Sequence, residues 1–453
     1  MKKRYLLYAI TAFTALTTSC NKYLDVEPKG KVLLKTVNDY DLWLNSRNLT
    51  TSADQNMNLL SDEGDIMTIN PQSVNSSDLV YLWRAQYTPD PNTSPLFWGR
   101  HYSNIYRFNA VLNGMNTLTD GTPQDKSRLT SEALLGRAFE YFYLMNLYCQ
   151  PYQASKAAST PGIPFVTTNE IAEKTPPRGT LKAIYDQVIS DLTTAIPGLP
   201  DNNDANKFRG SKTAAYSVLA RVYYYGGDNV NADKYARMVL QNNNSVFDYN
   251  TVTAGNKIPA MVVCPQEIYA RYGSSPGTAV MASLELLNLY DSTDLRMKYF
   301  YRNRAAMPYT KRGVTAYGNG QTSENFGTSV PEMKLIVAEI AALNNDLSTA
   351  VTQLNDIRVK RYPAAVYKPI TVTDQATVMS QVMRERRIEL AFKGIRWLDM
   401  RKLSTAGKMP LIQRLDSKSA VIATLKPNDA KYTLQIPSAV MLFNVDMEQN
   451  GWE

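Results

Sequence analysis

Glu385 and Glu389, one helical turn apart in the run Arg384-Glu385-Arg386-Arg387-Ile388-Glu389, come nearest in this chain to a catalytic carboxylate pair. Glycosidases hold two carboxyls about 5–5.5 Å or about 6.5–9.5 Å apart across the sugar, one of them kept protonated. Here arginines flank both acids and favour their ionised forms, the opposite of what proton donation needs. The spacing suits ion pairing within and between helices, and Trp397, further along the segment, reads as a core anchor. The single histidine, His101, stands near Trp98 and Tyr102, so a packed or surface histidine is expected rather than a triad member. There is no CxxC, HExxH, Walker phosphate loop or GxSxG, and Gly318-Asn319-Gly320 and Gly226-Gly227 are turn material. One histidine and three cysteines argue against a multi-His or Cys-rich metal centre. No catalytic residue, metal or cofactor is expected.

The residue types point instead to binding. Tyrosine is abundant, 29 against 12 phenylalanines, and pairs a flat apolar face with a polar tip. A binding face needs exposed aromatic rings interleaved with amide, carboxylate or guanidinium groups. The stretch Asp78-Leu79-Val80-Tyr81-Leu82-Trp83-Arg84-Ala85-Gln86-Tyr87 has that composition. If it is helical, Trp83 and Tyr87 share a face, with Arg84 alongside as a donor and Tyr81 close by. Tyr269, Arg271 and Tyr272, or Tyr309 and Tyr317, are further candidates for the same ligand face. The alternative is that Trp83 anchors its loop to the helical body.

The elements that must position these residues are mainly helical. Residues 129–149 place Leu134, Ala138, Tyr141, Met145 and Tyr148 at steps of three or four. Thr180 starts a second helix after Pro176-Pro177, and Pro197-Gly198 stops it. Ser211 can cap a third, ended by Gly226-Gly227, and Asn231 can cap a fourth. The short turn between the last two suits an antiparallel hairpin. A second hairpin is expected over 332–360, where Val337-Ala338 takes the place of Leu219-Ala220. Ala350 and Ala232 then follow twelve residues after each alanine. Small residues at matched offsets let paired helices approach closely, as in tetratricopeptide-like repeats. Residues 379–403 read as one final helical segment. The long polar stretches 50–96 and 250–330 read as functional loops. The expected fold is mainly all-α: a scaffold of helical hairpins with long irregular loops and few short strands.

The chain of 453 residues allows one large unit or up to about three domains. Its net charge of +8 falls to +5 without residues 1–19, an excess too mild and too scattered for a nucleic-acid footprint. The start, MKKRYLLYAITAFTALTTSC, has a basic head, a short apolar run and small residues before Cys20, the layout of a secretory signal. Leu16-Thr17-Thr18-Ser19-Cys20 resembles a lipobox, in which the cysteine is lipidated. Several acyl chains would then anchor the mature protein, since one alone holds only marginally. Cys149 and Cys264 remain, and free buried thiols are favoured over a disulfide between them.

Several segments, in order, resemble one family, the SusD/RagB-type outer-membrane lipoproteins. They are Cys20-Asn21-Lys22-Tyr23-Leu24-Asp25, FWGRHYSNIYRFNAVL at 97–112, and the run through Gly136-Arg137-Ala138-Phe139-Glu140-Tyr141. PGIPFVTT at 161–168, TPPRGTLKAIYDQVISDL at 175–192 and RGSKTAAYSVLARVYYYGGD at 209–228 follow. RERRIELAFKGIRWLDMRKL at 384–403 resembles the family's most distinctive signature, with Ile395 where His is common and Lys393 where Glu is common. Tyr432-Thr433-Leu434-Gln435-Ile436-Pro437 to Asn450-Gly451-Trp452 matches the usual ending.

The resemblance implies a signal peptide at 1–19, a SusD-like N-terminal region with helical hairpins at 20–250, and a RagB/SusD C-terminal region at 251–453 packed on the same body. It implies a non-catalytic, lipid-anchored protein of the outer membrane, at the cell surface. Such a protein would capture oligosaccharides, or in some members peptides, and pass them to a SusC-like TonB-dependent transporter. A secreted helical glycosidase and a repeat scaffold that binds only proteins are the rival readings.

Overall fold

The computed structural model describes residues 34–66, 69, 72, 75–88, 90–170, 172–274, 280–303, 315–317, 324–416 and 418–452. Cys20 and the 1–19 segment lie outside the described residues. Ten helices of eight or more residues carry the fold among the described residues: α1 (Val37–Leu44), α2 (Gly99–Gly114), α3 (Pro123–Tyr148), α4 (Leu181–Ala195), α5 (Lys212–Gly226), α6 (Asn229–Asn242), α7 (Val330–Leu343), α8 (Leu347–Arg358), α9 (Gln375–Glu389) and α10 (Arg396–Thr405). From α2 to α9 each helix packs against the next in chain order. The result is the stack of antiparallel hairpins expected of tetratricopeptide-like repeats.

Local chemistry explains the hairpins. The Ser211 side chain accepts the Ala214 amide at 3.1 Å and opens α5, and Gly227, at φ +79°, closes it. The next cap is Asp228, which accepts the Asn231 amide at 3.0 Å. The cap expected at Asn231 thus sits three residues earlier, because the acid satisfies the amide that Asn231 itself exposes. Ala220, Ala232, Ala338 and Ala350 are fully buried, so the matched small residues lie at the helix contacts of both hairpins. In α3 the bare Gly136 lets Phe108 of α2 close in; a Cβ there would fall 2.2 Å from the ring.

The final helical segment is two helices rather than one. The chain breaks between α9 and α10, where Phe392 and Gly394 take φ of +59° and +69°. A Cβ on Gly394 would lie 2.3 Å from the Phe326 ring, so the turn needs glycine for room as well as for conformation. Periodicity alone does not register a reversal built from two left-handed residues.

Strands are short and tie the long connections to the helices. Gly64–Asp65, Met281–Ala282, Thr315–Tyr317 and Tyr301–Asn303 form an antiparallel sheet in that spatial order. Thr51–Asp54 pairs in parallel with Tyr272–Ser274. The largest apolar cluster runs from Ala53 to Ile436, joining residues from both halves of the chain.

Buried ion pairs pin the stack. Arg221 of α5 meets Glu332 of α7 through two bonds of 2.7 and 2.6 Å. Arg386 of α9 holds Asp399 of α10, whose other contact is the Tyr225 hydroxyl at 2.8 Å. Glu389 accepts two bonds from Arg361 and one from Arg296, and Glu385 pairs with Arg296 and Arg358. Glu385, Arg386, Glu389 and Asp399 of the 384–403 segment are therefore held in the scaffold's ion pairs. Trp397 is buried there, stacked on Tyr432 with ring centroids 5.2 Å apart.

Candidate ligand pocket

The aromatic stretch 78–87 folds inward. A short helix, Ser76–Tyr81, starts at Asn75, whose side chain accepts the Ser77 amide at 2.9 Å. It ends at Tyr81, and Trp83 then turns at φ +50°. The indole of Trp83 donates to the Leu60 carbonyl at 2.9 Å, and the ring is only 2% exposed. Tyr81 donates to Asp65 at 2.6 Å. Arg414 lies over both rings, 4.1 Å from Tyr81 and 4.4 Å from Trp83. Tyr87 packs edge-on against Phe97 and is buried. The expectation that Trp83, Tyr81 and Tyr87 present their faces outward is corrected. Packing against Leu60, Asp65, Phe97 and Arg414 claims these rings, and of this group only Arg84 is exposed.

Tyr269 and Arg271 are also buried, the guanidinium stacked 3.8 Å from its neighbour's ring centroid and donating to the Phe208 carbonyl at 2.9 Å. Their expected outward placement is corrected for the same reason. Tyr272 is half-buried and opens into a cavity. Tyr309 lies outside the described residues, and Tyr317 sits on its strand opposite Tyr301.

That cavity, of about 320 Å³, is at the small end of the ~300–1,000 Å³ usual for ligand sites. Tyr249, Tyr272, Tyr290, Phe300 and Tyr301 supply aromatic wall, and Glu267, Glu324, Asn325 and Lys393 supply polar groups. The loops do the positioning. Tyr290 is held by the Tyr301 hydroxyl at 2.8 Å and the Ile388 carbonyl at 2.9 Å. Asn325 ties Glu267 to the Arg271 and Gly327 amides. Burial raises the Glu324 carboxyl above its ordinary value, and Gln55 donates to it at 2.6 Å. Arg296 and Glu389 form the floor. Burial works against the charge on Glu389, but Arg361 and then Arg296 hold it down to about 2.

The arrangement can bind and orient a polar ligand with flat apolar faces. Glu389, held at about 2, cannot donate a proton near neutrality, and burial pushes the Cys264 thiol in the wall up to about 12. His101 lies elsewhere, stacked on Tyr143 with its Nδ1 2.6 Å from Glu140. Cys149 and Cys264 are free and buried. Among the described residues no cluster of three or more His, Cys, Asp or Glu could hold a metal, and no helix is long and apolar enough to cross a membrane.

Sequence reasoning missed Tyr249, Tyr290, Phe300, Tyr301 and Glu324. They come from separate stretches of 249–325 that only the fold brings together, and the Tyr-rich 250–330 region was the available signal.

The repeat stack has counterparts among known proteins. The chain matches the family described as "Starch-binding associating with outer membrane" over residues 22–224 and the SusD family over residues 222–452. It belongs to the SusD family. Among curated relatives, a SusD-like protein P2 of Formosa agariphila is 24% identical over 69% of this chain and 72% of its own. Among solved structures, a SusD superfamily protein from Bacteroides thetaiotaomicron superposes with a TM-score of 0.73 at 20% identity, covering 92% of this chain and all of that one. A laminarin-binding SusD-like protein superposes with a TM-score of 0.66 at 18% identity, covering 93% and all respectively.

Proposed function

We propose that this protein captures oligosaccharides at the outer surface of the outer membrane and passes them to a SusC-like TonB-dependent transporter, held in place by a lipid on Cys20. The observation that carries the reading is the family match, which runs from residue 22 to 452 and whose N-terminal part is described as starch-binding and outer-membrane-associated. The pocket around Tyr272 supports it, with aromatic walls for sugar faces and Glu267, Glu324 and Lys393 for hydroxyls. Arg84 is exposed but does not line this pocket. The buried Trp83, Tyr81, Tyr87, Tyr269 and Arg271 support the loops instead.

Detergent pull-down of the tagged protein from its host should recover a large barrel transporter. Recovery of the intact protein alone would refute the hand-off. Incubation with glycans should leave them uncleaved, and the appearance of shorter products would overturn the capture reading in favour of a glycosidase.

A further inference from the structure

A second cleft, of about 700 Å³, lies between the end of α3, the strand Arg178–Thr180, α10 and the C-terminal segment. Arg401, Arg178 and Lys156 line it, with Tyr432, Ser404 and Gln153. Arg401 is the unusual member. Only 2% exposed, it donates through Nη2 to the Cys149 carbonyl, and its Nε is buried with no partner. Of the other buried guanidinium groups, Arg271 also leaves its Nε without a partner and meets no carboxylate among the described residues, but it does not line this cleft. Arg221, Arg296, Arg361 and Arg386 each meet a carboxylate. Arg414 donates to four carbonyls. Arg401 has no carboxylate within ion-pair distance among the described residues. Burial pulls it down to about 10, as an uncompensated interior cation requires.

Its neighbours cancel the charge only in part, the Glu448 carboxylate acting on Arg178. Arg178 also lines the cleft and donates only to neutral acceptors, the Gly162 and Glu448 carbonyls at 2.7 Å each and the Asn450 side chain at 2.9 Å. Lys156 is exposed at the rim. Two acids share the lining. Asp429 spends its oxygens on the Lys426 and Lys431 amides at 3.2 and 3.1 Å, and Glu448 is exposed. A guanidinium with one unpartnered N–H, beside Arg178 and Lys156, offers charge and fork geometry to an oxyanion.

We propose that this cleft is a second ligand site, one that takes the carboxylate or sulfate ester of an acidic saccharide on Arg401, with Arg178 and Lys156 assisting. The saccharide part rests on the glycan-capture reading above, and the oxyanion part rests on the cleft itself.

Isothermal titration of the full-length protein in detergent tests the site, with oligogalacturonate, a sulfated galactan oligosaccharide, a neutral galactan oligosaccharide of the same length and inorganic sulfate as probes. The expected result is tighter binding of one or both acidic oligosaccharides than of the neutral one. The preferred acid, uronate or sulfate ester, identifies the source of the oxyanion. Arg401→Gln should then weaken acidic binding by about tenfold or more and leave neutral binding unchanged. A purely structural arginine would weaken both or neither. Lys156→Ala, at the exposed rim, should weaken acidic binding by about threefold without touching the fold. Neutral oligosaccharide bound as well as the acidic ones, or acidic binding indifferent to both substitutions, overturns the proposal and leaves glycan capture standing. Sulfate bound in an Arg401-dependent way, with no saccharide bound at all, overturns the saccharide assignment and glycan capture with it.

Discussion

The contact between Arg221 and Glu332 joins the first repeat hairpin to the second, and removing its charge on one side should be costly in a way that removing it on both sides is not. Both side chains are almost fully buried. Arg221 also donates to the Phe326 carbonyl at 3.2 Å and to the Gly327 carbonyl. Glu332→Gln keeps the shape but strands an interior cation, for which about 3–5 kcal/mol of destabilisation is expected. In Arg221→Met/Glu332→Leu no charge remains. The Phe326 carbonyl keeps the Tyr143 hydroxyl at 2.5 Å, and the Gly327 carbonyl is orphaned at about 1–3 kcal/mol. The double variant should therefore be more stable than Glu332→Gln alone. Urea unfolding of both variants, with the slope checked for constancy, measures the difference. A double variant less stable than Glu332→Gln would refute the view that charge, rather than packing volume, decides the cost.

Other expectations concern titration, the core and the anchor. Burial pushes the Glu63 carboxyl, which accepts the Phe392 amide at 3.1 Å, up to about 8 from an ordinary 4.5. The folded chain then keeps a proton that the unfolded chain releases, so this group's contribution falls as pH rises from about 4.5 to about 8. Glu63→Gln should flatten the fall in thermal stability across that window, and an unchanged pH profile would contradict it. Trp83→Ala should cost about 3–5 kcal/mol in chemical unfolding because the ring is buried; unchanged stability with lost glycan binding would return Trp83 to the ligand face. Cys20→Ala should move the protein out of the membrane fraction or leave an uncleaved precursor, and normal processing with unchanged membrane retention would refute lipidation.

The repeat scaffold was legible because its signals are local. Ser211, Gly227 and the buried alanines at 220, 232, 338 and 350 each act within a turn or one hairpin. The reading of Arg384 to Arg401 as an ion-pair segment also followed from neighbours on one helix face. The break at Phe392 and Gly394 did not, since a reversal enforced by the distant Phe326 ring leaves the 3.6-residue period on either side intact. The ligand face was the least legible part. An aromatic-polar stretch such as 78–87 has the same composition whether it faces a sugar or clamps a loop. What decides is Arg414, more than 300 residues away, lying over Tyr81 and Trp83. The pocket around Tyr272 is likewise assembled from residues spread between 249 and 393, whose meeting no spacing rule encodes.

The central claim is capture of glycan without cleavage. Isothermal titration of the full-length protein against matched panels of oligosaccharides and peptides tests it most directly, with the recovered ligand analysed for chain length afterwards. The account predicts saturable binding of at least one oligosaccharide, recovered intact, and none of the peptides. Binding confined to peptides, or oligosaccharide recovered shortened, would contradict it.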